Sequence, residues 1–138
     1  MTELASYCGG RSRFSRLHPE VFKKRATNHN GASIKPMQPT VAVFGTLKFP
    51  PERIAEVQPH LRQLVEATQR NDGCIAYDIA LDPFEPGLIR FSELWPDHET
   101  LARHLQAPHI EPWRTAARHC GLLERQFVAY DITGSRSV

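Results

Sequence analysis

The chain has 138 residues, of which 41% are hydrophobic and 23% charged, enough for one globular domain with its own core. It has no apolar run of the roughly 18 residues that span a membrane, and its N-terminus lacks the apolar stretch of a secretory signal. Cys8, Cys74 and Cys120 lie far apart and form no C-x-x-C pair; this excludes a zinc ribbon or a disulfide framework and points to a reducing, cytoplasmic setting.

The net charge of +2 conceals an asymmetry. Residues 1–36 carry seven Lys/Arg against Glu3 and Glu20, whereas residues 37–138 carry ten Lys/Arg against thirteen Asp/Glu. The basic leader is rich in Ser, Gly, Asn and Arg and shows little periodicity, so it buries too little apolar surface to offset its ordering entropy. A solvated or disordered extension is the leading reading, with Met37 as a natural start. An organelle-type transit peptide, a basic arm for nucleic acid or anionic lipid, and a short helix docking through Leu17, Val21 and Phe22 are the alternatives. Nothing in the leader carries chemistry.

From Met37 the pattern changes. Residues 40–49 (TVAVFGTLKF) are β-branched, aromatic and apolar, which predicts a strand. Pro50-Pro51 ends it, and Pro51 suits the first turn of a helix. Over residues 52–70, Ile54, Val57, Leu61, Leu64, Val65 and Thr68 recur at helical spacing, with Pro59 predicting a bend. Asn71-Asp72-Gly73 reads as the helix stop. Residues 74–81 and 88–95 are the second and third strands, joined by the loop DPFEPG. Asp97 is placed as the N-cap of a second helix that carries Leu101, His104 and Leu105 on one face and breaks near Pro108. A further helical piece covers residues 110–119 and stops at Gly121; residues 124–133 form the fourth strand.

The order β-α-β-β-α-β, with right-handed crossovers, gives an α+β fold: a ferredoxin-like four-stranded antiparallel sheet with its helices on one face. Yet the strands are apolar on both faces, as in Val41, Val43 and Leu47 against Ala42 and Phe44. A solvated sheet face should alternate more cleanly with polar residues, so the uncovered face is expected to pack on a second copy in a homodimer.

His104 faces the apolar side of its helix, beside strands bearing Tyr77, Phe91, Glu93 and Trp95. An imidazole that titrates near neutral pH, next to flat aromatic surfaces, suggests a pocket for an aromatic molecule. Each residue has a plainer reading: His104 as a structural hydrogen-bonding group, and Tyr77 and Trp95 as core. Glu93 would be costly to bury alone, so it should pair with His104 or with Arg90 or Arg103. Trp113 could cover the pocket or pack on the first helix. His98, His104 and His109 stand six and five residues apart with Pro108 between the last two, unlike the i, i+4 spacing of helical metal ligands; no metal site is predicted. No G-x-G-x-x-G or Walker loop points to a nucleotide cofactor.

Taken together, G-C-x-x-Y (Gly73, Cys74, Tyr77), F-x-E-x-W (Phe91, Glu93, Trp95) and L-x-x-H-x-x-x-P-H (Leu101, His104, Pro108, His109) resemble the antibiotic biosynthesis monooxygenase family. The resemblance spans residues 37–138 and none of the leader. It implies a dimeric α+β barrel with an apolar pocket between sheet and helices. It also implies a quinol-type monooxygenase that needs no flavin, haem or metal, because the electron-rich aromatic substrate itself reduces dioxygen. By that likeness His104, with Glu93, Trp95 and Tyr77, would form the pocket group; the candidate catalytic residues are His104 and Glu93, and the candidates for binding a small aromatic substrate are Trp95, Tyr77, Phe91 and Trp113. Haem-degrading relatives use an Asn on the first strand and a Trp on the second helix; Phe44-Gly45-Thr46 and His104 stand here instead, which disfavours haem cleavage. A cofactor-free isomerase of a small carbonyl compound and a non-catalytic binding or stress-response dimer are the rival readings. No membrane or nucleic-acid partner is assigned.

Overall fold

The structure is a computed structural model that describes residues 37–138; the readings made for the leader lie outside the described residues. Strand β1 (Val41–Lys48) leads through a 3-10 turn at Pro51–Arg53 into helix α1 (Ile54–Asn71). Strands β2 (Ala76–Leu81) and β3 (Leu88–Trp95), helices α2 (His98–Leu105) and α3 (Ile110–His119), and strand β4 (Glu124–Asp131) follow. The sheet order is β2-β3-β1-β4 and every pairing is antiparallel, the ferredoxin-like arrangement. None of the described helices is long and apolar enough to cross a membrane.

Local chemistry sets these boundaries. Asp97 caps α2, its carboxylate accepting the Thr100 N–H at 2.7 Å. The α1 helix passes through Pro59 as one element and ends at Asp72, whose N–H still reaches the Thr68 carbonyl at 3.1 Å. Gly73 then turns the chain at φ +75°, a conformation open to glycine. That turn explains why β2 begins at Ala76 rather than at Cys74. Between β2 and β3, Asp82 holds the loop by accepting the Phe84 and Glu85 N–H groups, both at 2.9 Å, and the Arg90 guanidinium at 2.6 Å.

Register fixes what the helices cover. Tyr77 lies opposite Glu93, Glu93 opposite Val43, and Val43 opposite Ala129, giving one cross-sheet row. The next row on the same face runs Ile79, Phe91, Gly45, Phe127. Gly45 has a packing reason: a Cβ there would stand 2.2 Å from Cδ1 of Phe127, so the bare backbone makes room for the ring. The core comprises Val41, Val43, Leu47, Phe49, Ile89, Phe91 and Trp95 from the sheet, with Val57, Leu61, Leu64, Leu101 and Ile110 from the helices. On the opposite face Phe44, Val128 and Tyr130 are exposed, the Phe44 and Tyr130 rings 6.1 Å apart.

Candidate active site

Between the inner sheet face and the helices lies a cavity of about 480 Å³, within the range of small-molecule sites. Apolar side chains dominate its wall, among them Val43, Leu47, Leu64, Phe91, Leu101, Ile110, Trp113 and Phe127. Tyr77, Glu93 and His104 supply polar groups from the interior, each only 4% exposed. Arg114, Arg118 and Arg125 supply three cations from exposed positions. Tyr77, Phe91, Glu93, His104 and Trp113 therefore do share one cavity.

The partnerships within it differ from the sequence expectation. His104 pairs with Asp72 rather than with Glu93: its Nδ1 stands 2.6 Å from the Asp72 carboxylate, both side chains nearly fully buried. The same carboxylate oxygen lies 3.0 Å from Nε2 of His109. One carboxylate from the C-terminus of α1 thus gathers an imidazole from α2 and another from the start of α3. The desolvated site holds the His104 pKa below its ordinary value, and the Asp72 hydrogen bond opposes that shift without cancelling it. With Nδ1 committed to Asp72, Nε2 makes no hydrogen bond among the described residues and is the nitrogen left for the cavity.

Glu93 pairs with neither Arg90, which bridges to Asp82, nor Arg103, which bridges to Glu99. Its Oε2 accepts the indole N–H of Trp95 at 2.8 Å. Burial pushes the Glu93 pKa up to about 7, against the pull of that hydrogen bond and of the Arg125 charge. The carboxyl is therefore half protonated near neutral pH, able to give or take a proton. Burial also raises the Tyr77 hydroxyl far above its usual range, so it stays a neutral donor.

The sequence reading puts Trp95 on the cavity wall. It is instead fully buried behind it, its ring 4.8 Å from the His104 ring and 6.3 Å from that of Tyr77. Its part is to brace His104 and to donate to Glu93. Tyr77 meets His104 edge-on at 5.5 Å and Phe91 at 6.3 Å. Cys74 is half-buried, its thiol pushed up by desolvation and donating weakly to the Thr68 carbonyl at 3.7 Å, as befits a packing residue.

His98 lies apart from the other two histidines, bonded to Asp131 on the surface at 2.6 Å. His104 and His109 do converge, with Asp72, and their ligand atoms lie within 4.8 Å of one another, close enough to hold a metal ion. Sequence spacing hid this trio, because its members sit on three different elements. A hydrogen bond accounts for the 2.6 Å separation of His104 from Asp72, and His109 stands at ion-pair distance, 3.0 Å, from the same carboxylate. In the sequence Asp72 reads only as part of a helix stop, and its partner lies 32 residues onward, beyond any local signal. The arginines were also missed, although the alternation of Arg125, Phe127 and Ala129 along β4 marks one face.

Residues 40–116 match the antibiotic biosynthesis monooxygenase family. A candidate antibiotic biosynthesis monooxygenase from Deinococcus radiodurans is similar in structure, with a TM-score of 0.67 and 26% identity over 71% of this chain and 97% of that one. A second solved antibiotic biosynthesis monooxygenase is 30% identical, with a TM-score of 0.62, over 68% of this chain and 99% of that chain. A candidate member from Caulobacter crescentus CB15 shares the fold at 21% identity, with a TM-score of 0.66 over 71% and 93% of the two chains. An uncharacterized protein of Synechocystis sp. is 26% identical over 77 residues, 56% of this chain; the match spans about half, 52%, of that relative's length. With more than half its sequence matched to the family and the fold shared along the described domain, this chain belongs to the antibiotic biosynthesis monooxygenase family.

Proposed function

We propose that the protein is a cofactor-independent monooxygenase that oxidises a quinol or polyphenolic aromatic with dioxygen. The observation that carries this reading is His104 on the wall of an apolar cavity, paired from behind with the buried Asp72 carboxylate. A carboxylate that accepts Nδ1–H fixes the imidazole tautomer and leaves Nε2 basic, and it stabilises the imidazolium formed when Nε2 takes a proton. A phenolic hydroxyl held there loses its proton to His104, and the resulting anion is electron-rich enough to reduce dioxygen. One oxygen atom enters the ring and the other leaves as water, so that quinol and dioxygen become hydroxyquinone and water, the substrate supplying all the electrons. Glu93, half protonated near neutral pH, exchanges the second proton. Tyr77, Phe91 and Trp113 hold the ring.

The active unit in this reading is a homodimer joined through the open sheet face that bears Phe44, Val128 and Tyr130. The free thiols of Cys74 and Cys120 fit a reducing, cytoplasmic compartment.

Dioxygen uptake by the purified chain with a panel of dihydroxy-aromatics tests the reading, each run beside His104→Ala and a protein-free blank. The reading expects uptake above the blank that His104→Ala lowers by about 10²–10⁴-fold while the protein keeps its fold. Uptake equal to the blank across the panel would remove the oxygenase. Conversion of a carbonyl compound under strict anaerobiosis would put an isomerase in its place.

A further inference from the structure

The cavity is polarised along its depth. Its buried end holds the proton-transfer groups Glu93 and His104, and its exposed rim holds Arg114, Arg118 and Arg125. Glu111, which is not on the wall, accounts for two of these cations: it receives Arg118 at 3.0 Å and lies 3.7 Å from Arg114. Arg125 has no carboxylate partner among the described residues. Register opposite Leu47 puts it on the inner face of β4, and its guanidinium lies 4.6 Å over the Phe127 ring, itself part of the wall. Arg125 itself lines the cavity, so the guanidinium lies on the cavity side.

Three guanidinium groups at the mouth of an apolar cavity therefore face one wall carboxyl, Glu93, and one external carboxylate, Glu111. Such a mouth keeps a positive potential that attracts anions and disfavours cationic ligands. A guanidinium resting on an aromatic face is already oriented, and its fork matches a carboxylate in shape. We infer that the ring substrate of this cavity carries an ionised acid group, a carboxylate or its equivalent, and that Arg125 holds this group at the mouth. The inference rests on the reading above, in which this cavity is the substrate site, and it narrows the substrate class to acidic aromatics. The anchored acid keeps one end of the ring at the rim and turns the other toward His104.

Calorimetric titration of the full chain with 2-naphthoate and with its neutral isostere 2-naphthamide separates the two ideas, because neither probe is a quinol and no turnover is needed. The carboxylate is expected to bind about tenfold more tightly than the amide, the increment of a charge-assisted hydrogen bond. Arg125→Gln should abolish that preference, Arg125→Lys should keep part of it, and Arg62→Gln, on the exposed side of α1, should leave it intact. Raising the salt concentration should weaken the naphthoate alone. Equal affinity for the two probes, or a preference that survives in Arg125→Gln, overturns the acid assignment. If dioxygen uptake with neutral quinols is present in the same preparation, the oxygenase reading stands while the acid assignment fails. Binding of neither probe overturns the acid assignment as well, and dioxygen uptake with neutral quinols then decides the oxygenase reading by itself.

Discussion

Glu93→Gln should make the protein more stable at alkaline pH and leave it nearly unchanged in acid. Glu93 is 4% exposed and its folded pKa is raised to about 7 from an ordinary 4.5, chiefly by burial. Between those two values the folded state binds more protons than the unfolded chain, so the stability of the native protein falls as pH rises through this window. The difference of about 2.5 pKa units is worth about 3 kcal/mol, fully lost above pH 7 and mostly retained at pH 5, where less than about 1 kcal/mol is gone. Glutamine has the same shape and keeps an oxygen for the Trp95 indole N–H now bonded at 2.8 Å, but it carries no charge to desolvate. The variant should therefore exceed the native protein by about 3 kcal/mol at pH 8.5, a rise in Tm of roughly 10–20 °C for a domain of this size. Thermal unfolding of both proteins at pH 5 and pH 8.5 is the assay. Equal gaps at the two pH values would refute the reasoning, since a packing or hydrogen-bond effect does not follow proton uptake. The same substitution removes a proton-exchanging group, so activity should fall as stability rises.

Three further outcomes follow from the geometry. Asp72→Asn removes the charge that opposes the downward pull on the His104 pKa, so the acid limb of the pH–rate profile should move to lower pH; kcat should fall by about 10–100-fold, and an unshifted profile would show that Asp72 is only a structural contact. Gly45→Ala forces the Phe127 ring away from the new Cβ, with a cost of about 1–3 kcal/mol in urea unfolding; a smaller loss would mean that the ring swings freely off the sheet. Tyr130→Glu places a charge on the open sheet face, so sedimentation should show the homodimer dissociating to monomers, whereas a native protein already monomeric would refute the dimer.

The elements of the fold were legible because each is governed by local rules. The period-2 pattern of LIRFSELW gives β3 to the residue, and Asp97 announces α2 through a cap that the structure contains. Strand alternation also put Phe91, Glu93 and Trp95 on one face, and pairing register then supplied Tyr77 and Val43 beside them. Alternation cannot give depth, however. Trp95 shares the face of Glu93 yet lies under His104 rather than on the cavity wall. The His104 partner was less accessible still. Asp72 satisfies every expectation for a residue that ends a helix, and only tertiary packing brings it to His104 on α2 and to His109 at the start of α3.

Glu93 and Asp72 thus differ in how a sequence can betray them. A carboxyl at an inward position of a strand conflicts with binary patterning, and such conflicts are where function is expected. The fold does not need that acid: an uncharged amide would accept the same Trp95 hydrogen bond without a desolvation cost above neutral pH. Asp72 conflicts with nothing, because helix C-termini welcome polar residues. The charge that orients His104 is therefore hidden in an ordinary turn, while the charge that weakens the fold is conspicuous. In the proposed reaction both would act on one bound ring, the first by making Nε2 a base and the second by standing ready, half protonated, for the proton that follows.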